Sequence, residues 1–364
     1  MEPFERILVR APNPLGDAVM ATPLLRCLRR NWPRARITAL ATAAGAEAYE
    51  GLDSVDRILV YRRKTDHGLA GTWRAARRLR PERFDLAVVC PNSHSSALHA
   101  WLTGARRRIG WAYNGRGFLL TDPLGPEMQR WGRRVPVPMV EYYLDIARRL
   151  GAEVAGTATE LRTTPAGEAE ALRALDAGGW SEGMPLAGLG VGSSFGPSKL
   201  WTAGAFAAVG NALALRGLRV ALLYGPGEEG VASEVAALLE RPPVVGAGRA
   251  LGLGGLKSLC SRLSVLVTTD TGPRHVAVAF GVPVVVVMGP TDPEYTHCNL
   301  ERTVVLREEV DCAPYRWPCH EKACPLEGPR RHQCMERIPP ERAVQAAVDL
   351  LARGNGGDGS FSVQ

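Results

Sequence analysis

The stretch TTDTGPRHVAVAFGVPVVVVMGPTDP, residues 268–293, begins at the end of one apolar run and contains a second, with a short helical pattern between the two. The first run ends in two threonines and Asp270, the chain turns at Gly272 and Pro273, and a run of four valines follows the helical pattern. Short apolar strands that alternate with helices predict a parallel sheet. Ligands bind beyond the carboxyl ends of such strands, so we expect Asp270 and its neighbours to face a ligand.

The same alternation of strands and helices runs through both halves of the chain. A chain of 364 residues with 46% hydrophobic residues is long enough for two domains at roughly 150 residues each. We predict the fold class α/β, with an N-terminal Rossmann-like domain over 1–165 and a C-terminal Rossmann-like domain over 180–340. A closing helix is predicted over 341–352 and a disordered tail over 353–364.

The charge balance favours an anionic partner. The chain has 44 basic and 37 acidic residues, a formal net charge of +7, and lysine occurs at only four positions. Arginine clusters are compatible with nucleic acid, an anionic membrane surface or an acidic substrate, although solvated helix faces explain any single cluster as well. An aromatic content of only 6% argues against a surface for single-stranded nucleic acid.

The sequence contains no sign of a membrane span or of a secretory signal. No segment approaches the roughly 18 uninterrupted apolar residues of a spanning helix, and the N-terminus enters a strand at once. We therefore expect a cytoplasmic protein. Its eight cysteines should be reduced in that compartment.

The loop after the first strand reads APNPLGDAVMATP and contains Asp17. It matches neither the G-x-G-x-x-G fingerprint nor a P-loop. Gly16 permits a tight turn, and Asp17 stands where the next helix should begin. From this half alone, Asp17 is either a helix cap or a functional carboxylate.

Three strand ends of the second half carry polar residues, which predicts a pocket at one edge of the sheet. These residues are Ser193, Ser194 and Lys199 after the first strand, Glu228 after the second, and Asp270, Thr271, Gly272 and His275 after the third. The helix N-terminus after Gly272 is suited to a phosphate, and Lys199 adds a positive charge. Local capping is the alternative explanation for Asp270, Thr271 and His275.

Two Rossmann-like domains that face each other across a cleft, the second holding a diphosphate, describe the GT-B fold of glycosyltransferases. No D-x-D motif occurs, so the sequence does not support a diphosphate carried by a metal ion. We predict a metal-independent enzyme without a cofactor.

Most of the chain resembles the ADP-heptose:lipopolysaccharide heptosyltransferases of glycosyltransferase family 9. The resemblance rests on LGD near the N-terminus, FGPSKLW, DTGPRHVA and the cysteine-bearing segment DCAPYRWPCHEKACPLEGPRRHQC, which is most similar to the heptosyltransferase II branch. It implies an inverting transfer of heptose from ADP-heptose to the inner core of lipopolysaccharide, with Asp17 as general base and Lys199 as a catalytic residue at the diphosphate.

The resemblance also implies the remaining contacts of the site. Donor contacts fall on Asp270, Thr271, Gly272 and His275, on Ser193 or Ser194, and on Glu228. The acceptor would be an anionic lipid A-core molecule on the inner face of the cytoplasmic membrane, where the enzyme would be peripheral. Five arginines of the first domain are predicted to attract it, namely Arg62, Arg63, Arg106, Arg107 and Arg108.

Several alternatives stay open at this point. Cys312, Cys319, Cys324 and Cys334 supply enough ligands for a structural zinc ion, but their spacing lacks the paired C-x₂-C form, so we predict no metal site. The chain is alternatively a GT-B transferase that uses another nucleotide sugar, a sugar-nucleotide epimerase, or a non-catalytic protein that binds a nucleotide or nucleic acid.

Overall fold

The structure is a computed structural model that describes residues 3–66, 68–125, 136–248, 250–312 and 319–354. The described chain divides into two compact units. Unit 1 runs to Arg162 and includes the segment Glu294–Cys298, and unit 2 contains the rest from Thr163 onward. From residue 355, the predicted tail lies outside the described residues.

Unit 1 is built on a six-stranded sheet in which every strand pair is parallel. Its strands are β1 (Arg6–Arg10), β2 (Arg36–Ala41), β3 (Arg57–Val60), β4 (Leu86–Val89), β5 (Arg107–Trp111) and β6 (Asp122–Leu124). Its helices are α1 (Leu15–Met20), α2 (Thr22–Asn31), α3 (Ala43–Tyr49), α4 (Arg63–Asp66), α5 (Gly68–Leu79), α6 (His94–Leu102) and α7 (Met139–Arg149). The spatial order is β3-β2-β1-β4-β5-β6, so the order reverses between β1 and β4.

Unit 2 contains a five-stranded sheet, again with only parallel pairs. Its strands are β7 (Leu186–Gly190), β8 (Arg219–Leu223), β9 (Val265–Thr269), β10 (Val284–Val287) and β11 (Thr303–Leu306). Its helices are α8 (Pro165–Ala177), α9 (Ala203–Ala214), α10 (Glu229–Leu238), α11 (Leu253–Cys260), α12 (Gly272–Ala279), α13 (Gln333–Glu336) and α14 (Pro340–Gly354). The order β11-β10-β9-β7-β8 reverses between β7 and β9.

The sequence explains these elements locally. Strands β4, β9 and β10 are buried along their whole length, which is the pattern of parallel strands covered by helices on both faces. Hydroxyl side chains cap several helices: Thr42 accepts from the N–H of Gly45, and Ser93 accepts from that of Ser96. The predicted class of two parallel α/β domains is confirmed. Within the described ranges, no helix has the length and apolar character needed to cross a membrane.

Candidate active site

Each unit has one position where its strand order reverses, and the candidate residues gather there. In unit 1 this is the carboxyl edge between β1 and β4, and Asp17 follows β1. In unit 2 it is the carboxyl edge between β7 and β9, where Lys199 follows β7 and Asp270 follows β9. Open α/β sheets bind ligands at this kind of crevice, so each unit offers one candidate half-site.

Asp17 does not cap the helix that contains it. It stands in the first turn of α1, while Pro14 occupies the N-cap position and makes no side-chain cap hydrogen bond. The side chain is partly exposed, and its Oδ1 accepts a hydrogen bond from the Tyr143 hydroxyl at 3.1 Å. The carboxylate is therefore held from α7 while it remains accessible.

Tyr143 is only 3% exposed. Burial, followed by the charge of Asp17, raises the pKa of its phenol well above the usual value. Tyr143 therefore keeps its proton and donates a hydrogen bond to Asp17. The adjacent Tyr142 bonds to Asn92 instead and stacks on Trp111 with ring centroids 4.8 Å apart.

Arg116 fixes the loops at the ends of β4 and β5, beside the crevice of unit 1. Its guanidinium is fully buried and donates to the carbonyl oxygens of Trp111 at 2.8 Å and Ser93 at 3.1 Å, and to the Ser96 hydroxyl at 2.9 Å. Carbonyl and hydroxyl dipoles thus compensate the desolvation of this cation. Burial lowers the pKa of Arg116 from its usual value.

In unit 2, Lys199 is joined to Asp270. Lys199 ends a short 3-10 helix after β7, and its Nζ donates to Asp270 Oδ2 at 2.7 Å and to the Asp270 carbonyl oxygen at 2.8 Å. Both side chains are about nine-tenths buried, with 11% and 10% exposed. An ammonium group has three N–H donors, and these contacts to Asp270 use two of them.

Asp270 has two further partners. Arg274 Nη1 donates to its Oδ1 at 2.8 Å, and the Thr291 hydroxyl donates to its Oδ2 at 2.9 Å. Burial alone would raise the pKa of Asp270, but the charges of Arg274 and Lys199 outweigh it and hold that pKa below the usual range. The carboxylate is therefore ionised and fixes the position of Lys199.

Helix α12 begins directly beside this ion pair. Its N-cap residue Thr271 makes no side-chain cap hydrogen bond, because its hydroxyl instead lies 3.4 Å from the Thr269 carbonyl oxygen. Pro273 occupies the first turn after Gly272. The capping explanation therefore does not account for Thr271, and the N-terminal dipole remains for an anion.

His275 lies in the first turn of α12. Burial, followed by the charge of Arg274, lowers the pKa of its imidazole to about 3. The ring is therefore neutral near pH 7 and acts there as a hydrogen-bonding group without charge.

The hydroxyls and the glutamate predicted for the donor lie at the same edge of unit 2. The Ser193 hydroxyl is buried without a hydrogen-bond partner among the described residues, whereas Ser194 is exposed. Glu228 Oε2 accepts from the Gly225 N–H at 2.6 Å. A Cβ placed on Gly192 would overlap this carboxylate, so the close approach of Glu228 to the end of β7 requires glycine at position 192.

The predicted acceptor arginines separate into two groups. Arg106, Arg107 and Arg108 stand at the amino end of β5, at the opposite sheet edge from Asp17. Arg107 pairs with Asp122 at 2.6 Å, and Arg108 donates to the Leu119 carbonyl oxygen. The structure thus does not bring these three arginines to Asp17. They lie where β5 begins, whereas Asp17 lies at the edge where the strands end.

Arg62 and Arg63 lie at the edge where the strands end. Both follow β3, Arg62 is exposed, and Arg63 opens α4. Only this pair of the predicted arginines therefore shares an edge of the sheet with Asp17.

The four cysteines of the C-terminal segment are free thiols near one another. Cys312 and Cys319 pack against the core cluster that contains Cys334, and Cys324 Sγ accepts from the N–H of His332 at 3.4 Å. Burial, followed by the three other thiols, raises the pKa of Cys334 to about 11. In the described part of the chain, which omits 313–318, no group of three or more potential ligands is arranged to hold a metal ion.

Three residues that bond to the carboxylates of the candidate site were not predicted from the sequence. Arg274 follows Asp270 by four residues on one helix face, and this spacing was a usable signal. Thr291 lies beyond β10 and Tyr143 lies on α7, so neither has a local signal that links it to its carboxylate.

Comparison with known proteins identifies relatives along nearly the whole chain. Lipopolysaccharide heptosyltransferase 2 of Escherichia coli K12 is 27% identical over 358 residues, which cover 95% of this chain and 98% of that protein.

Two solved structures share the fold at 24% sequence identity. The E. coli ADP-heptose lps heptosyltransferase II superposes with a TM-score of 0.75, covering 96% of this chain and 100% of that one. A glycosyltransferase family 9 protein of Veillonella parvula gives a TM-score of 0.79 over 96% and 98% of the two chains. This likeness confirms the predicted fold class.

The sequence profile of glycosyltransferase family 9 (heptosyltransferase) matches residues 72–328. That range spans well over half of the chain and includes Lys199, Glu228 and the Asp270 cluster. The predictions of an enzyme and of its class are confirmed, because this chain belongs to glycosyltransferase family 9, the heptosyltransferase family.

Proposed function

We propose that this enzyme transfers heptose from ADP-heptose to the inner core of a lipopolysaccharide. The observation that carries the proposal is family membership, together with relatives named lipopolysaccharide or lipooligosaccharide heptosyltransferase 2 that match 95% of the chain. The solved E. coli neighbour is named for ADP-heptose, which motivates the choice of donor.

Asp17 is the general base in this proposal. An acceptor hydroxyl must lose its proton as its oxygen attacks the anomeric carbon, and Asp17 is an accessible carboxylate at the crevice of unit 1. Tyr143 is a positioning residue, since its hydrogen bond fixes the Oδ1 atom of the carboxylate. A positioned base accelerates such a step by about 10²–10⁴-fold.

Unit 2 stabilises the leaving diphosphate. Negative charge grows on the β-phosphate as ADP departs, and Lys199 with the N-terminus of α12 supplies preorganised positive charge. Asp270 and Arg274 orient Lys199. Thr271, Gly272 and His275, at the start of α12, would contact the heptosyl diphosphate. Ser193 or Ser194 and Glu228 complete the donor contacts.

The reaction would invert the anomeric centre. One base and one stabilised leaving group are the requirements of a single in-line displacement, in which the acceptor oxygen forms its bond to C1 as the bond to the β-phosphate oxygen breaks. The proton goes to Asp17, and ADP departs as the anion. No carbohydrate–enzyme bond is needed, and no metal ion takes part in this scheme.

The acceptor would be an anionic lipid A-core molecule on the inner face of the cytoplasmic membrane. Arg62 and Arg63 follow β3 at the same sheet edge as Asp17, which supports an acceptor contact by this pair. Arg106, Arg107 and Arg108 lie at the other edge and are not part of the proposed contact.

The assignment is tested by a panel of ADP- and UDP-sugars with and without a heptose-bearing acceptor. We expect ADP-heptose to raise the unfolding temperature most, and we expect product only when acceptor is present. A ligand at 100 times its Kd adds about 2.7 kcal/mol of stability. Stronger stabilisation by a UDP-sugar would contradict the donor, and turnover of the donor without acceptor would favour an epimerase.

A further inference from the structure

One short segment of unit 1 carries a large local excess of positive charge. Residues 62–80 contain seven basic residues, Arg62, Arg63, Lys64, Arg74, Arg77, Arg78 and Arg80, and one acidic residue, Asp66. This segment therefore has a formal charge of +6. A local excess of this size favours an anionic partner where its cations share one exposed surface.

Helix α5, within this segment, has one buried face and one exposed face. Thr72, Ala75, Ala76 and Leu79 are buried against unit 1, while the residues between them point outward. The exposed face, which we call the α5 face, consists of Trp73, Arg74, Arg77 and Arg78. It combines three guanidinium groups with an indole that is 51% exposed.

Contacts hold the α5 face in place without neutralising it. Arg74 Nη2 donates to the Thr65 carbonyl oxygen at 3.2 Å, and the Arg77 guanidinium lies 5.2 Å from the centre of the Trp73 ring. Arg78 pairs with Asp66, the one acidic residue of the segment, at 2.9 Å. The contacts of Arg74 and Arg77 are thus with a carbonyl oxygen and an aromatic ring, and not with a carboxylate.

The same groups border an open depression. Thr65 and Asp66 line it together with the α5 face, and its volume is about 530 Å³. Guanidinium groups such as those that line it bind phosphate oxygens in a bidentate manner.

We propose that the α5 face binds the surface of a bilayer rich in anionic phospholipids. Tryptophan among arginines is typical of helices that lie at the headgroup level, where the ring enters the interface and the cations bind phosphates. Single-stranded nucleic acid would favour several stacked aromatic rings, and this face has one. The inference concerns binding alone and does not depend on the proposed transfer.

The test uses the full chain with vesicles of phosphatidylcholine alone or mixed with phosphatidylglycerol, without donor or acceptor. We expect co-sedimentation only with the anionic vesicles, and weaker binding at high salt. Each basic residue near such a surface contributes roughly fivefold to the partition constant. The double variant Arg74→Gln/Arg77→Gln, which keeps the Arg78–Asp66 pair, should therefore bind about 25-fold more weakly.

The matched control is Arg216→Gln/Arg241→Gln, which removes two exposed arginines of unit 2. This control loses the same net charge as the α5 variant. Because salt screens long-range charge, its partition constant on anionic vesicles should stay within about twofold of that of the unchanged protein. Equal losses in both double variants would overturn the proposal, as would equal binding to neutral vesicles or retention on nucleic acid but not on vesicles.

A second readout tests contact by the indole. Anionic vesicles should shift the tryptophan emission of the unchanged protein to shorter wavelength, and Trp73→Phe should remove that shift while binding remains. A shift that persists in Trp73→Phe would place the α5 face outside the interface. Thermal unfolding of each variant confirms that it is folded.

Discussion

The hydroxyl of Tyr143 donates a hydrogen bond to Asp17 Oδ1 over 3.1 Å, although 126 residues separate the two in sequence. The bond joins α7 to the first turn of α1 and gives the carboxylate one fixed oxygen. It makes the role of Asp17 testable by two isosteric changes, one at each end of the bond.

Asp17→Asn should leave the fold intact and abolish most of the transfer. The amide keeps the size of the carboxylate but cannot accept a proton, so we expect kcat to fall by about 10²–10⁴-fold. Binding of ADP-heptose should persist, because the proposed donor contacts belong to unit 2. The control is Asp53→Asn in the same unit, because the Asp53 side chain is 93% exposed. Near-normal transfer by Asp17→Asn would contradict the base assignment.

Tyr143→Phe should lower kcat and leave KM for the donor nearly unchanged. The variant keeps the buried ring but loses a hydrogen bond to a charged group, a loss of about 1.5–3 kcal/mol, or roughly 10- to 100-fold in rate. Tyr142→Phe is the matched comparison, because it removes a hydroxyl that bonds to Asn92 and not to Asp17. Equal effects of the two changes on kcat would mean that Tyr143 acts only in packing.

Lys199→Ala should weaken the binding of ADP and slow transfer. We expect the transition state to lose on the order of 3 kcal/mol of stabilisation. Isothermal titration with ADP and steady-state kinetics measure the two effects. Lys257 is fully buried in α11, so the exposed Arg216→Ala is the better control within unit 2. If both variants bound ADP equally, Lys199 would have no direct contact with the diphosphate.

Asp270→Asn should destabilise unit 2 by about 3–5 kcal/mol, because Arg274 and Lys199 would remain buried without their carboxylate. The depressed pKa of Asp270 means that its stabilising contribution is complete above the unfolded pKa of about 3.9 and declines as the pH falls below that value. The free energies of unfolding of the unchanged protein and of Asp270→Asn should therefore differ by a constant amount from neutral pH down to about pH 5. This difference should shrink in stronger acid.

Denaturant unfolding at several pH values measures this difference. Asp311→Asn, which disrupts only an exposed ion pair with Arg330, should cost at most about 1 kcal/mol. A difference for Asp270→Asn that grew as the pH fell would refute the ionised state of Asp270.

Activity should survive treatment with EDTA. Lys199 and the N-terminus of α12 supply the positive charge that a divalent cation would otherwise bring to the diphosphate. Steady-state rates before and after chelation, with Mg²⁺ added back, measure the effect. Loss of turnover that Mg²⁺ restores would require a metal in the mechanism.

Sequence patterns predict those parts of the molecule whose structure depends on interactions between residues close together in the chain. The stretch 268–293 folds as the end of β9, followed by α12 and β10, because the patterns of buried β-branched strands and of a Gly-Pro turn act over a few residues. The loops that follow β1, β7 and β9 are equally local, so the sequence identifies Asp17, Lys199 and Asp270 as candidates.

Sequence patterns do not predict which residues reach the candidate site when strand register or tertiary contacts determine their position. Arg106, Arg107 and Arg108 are conspicuous as a cluster, yet the register of β5 puts them at the amino edge of the sheet. Tyr143 and Thr291 join the site through tertiary contacts that no local pattern encodes.

The fit between Gly192 and Glu228 has an evolutionary consequence. Any side chain at position 192 would meet the Glu228 carboxylate, which would then have to leave the Gly225 N–H. A lineage that replaces Glu228 by a shorter residue removes this overlap and opens space for a side chain at 192. We therefore expect residues at the two positions to change together.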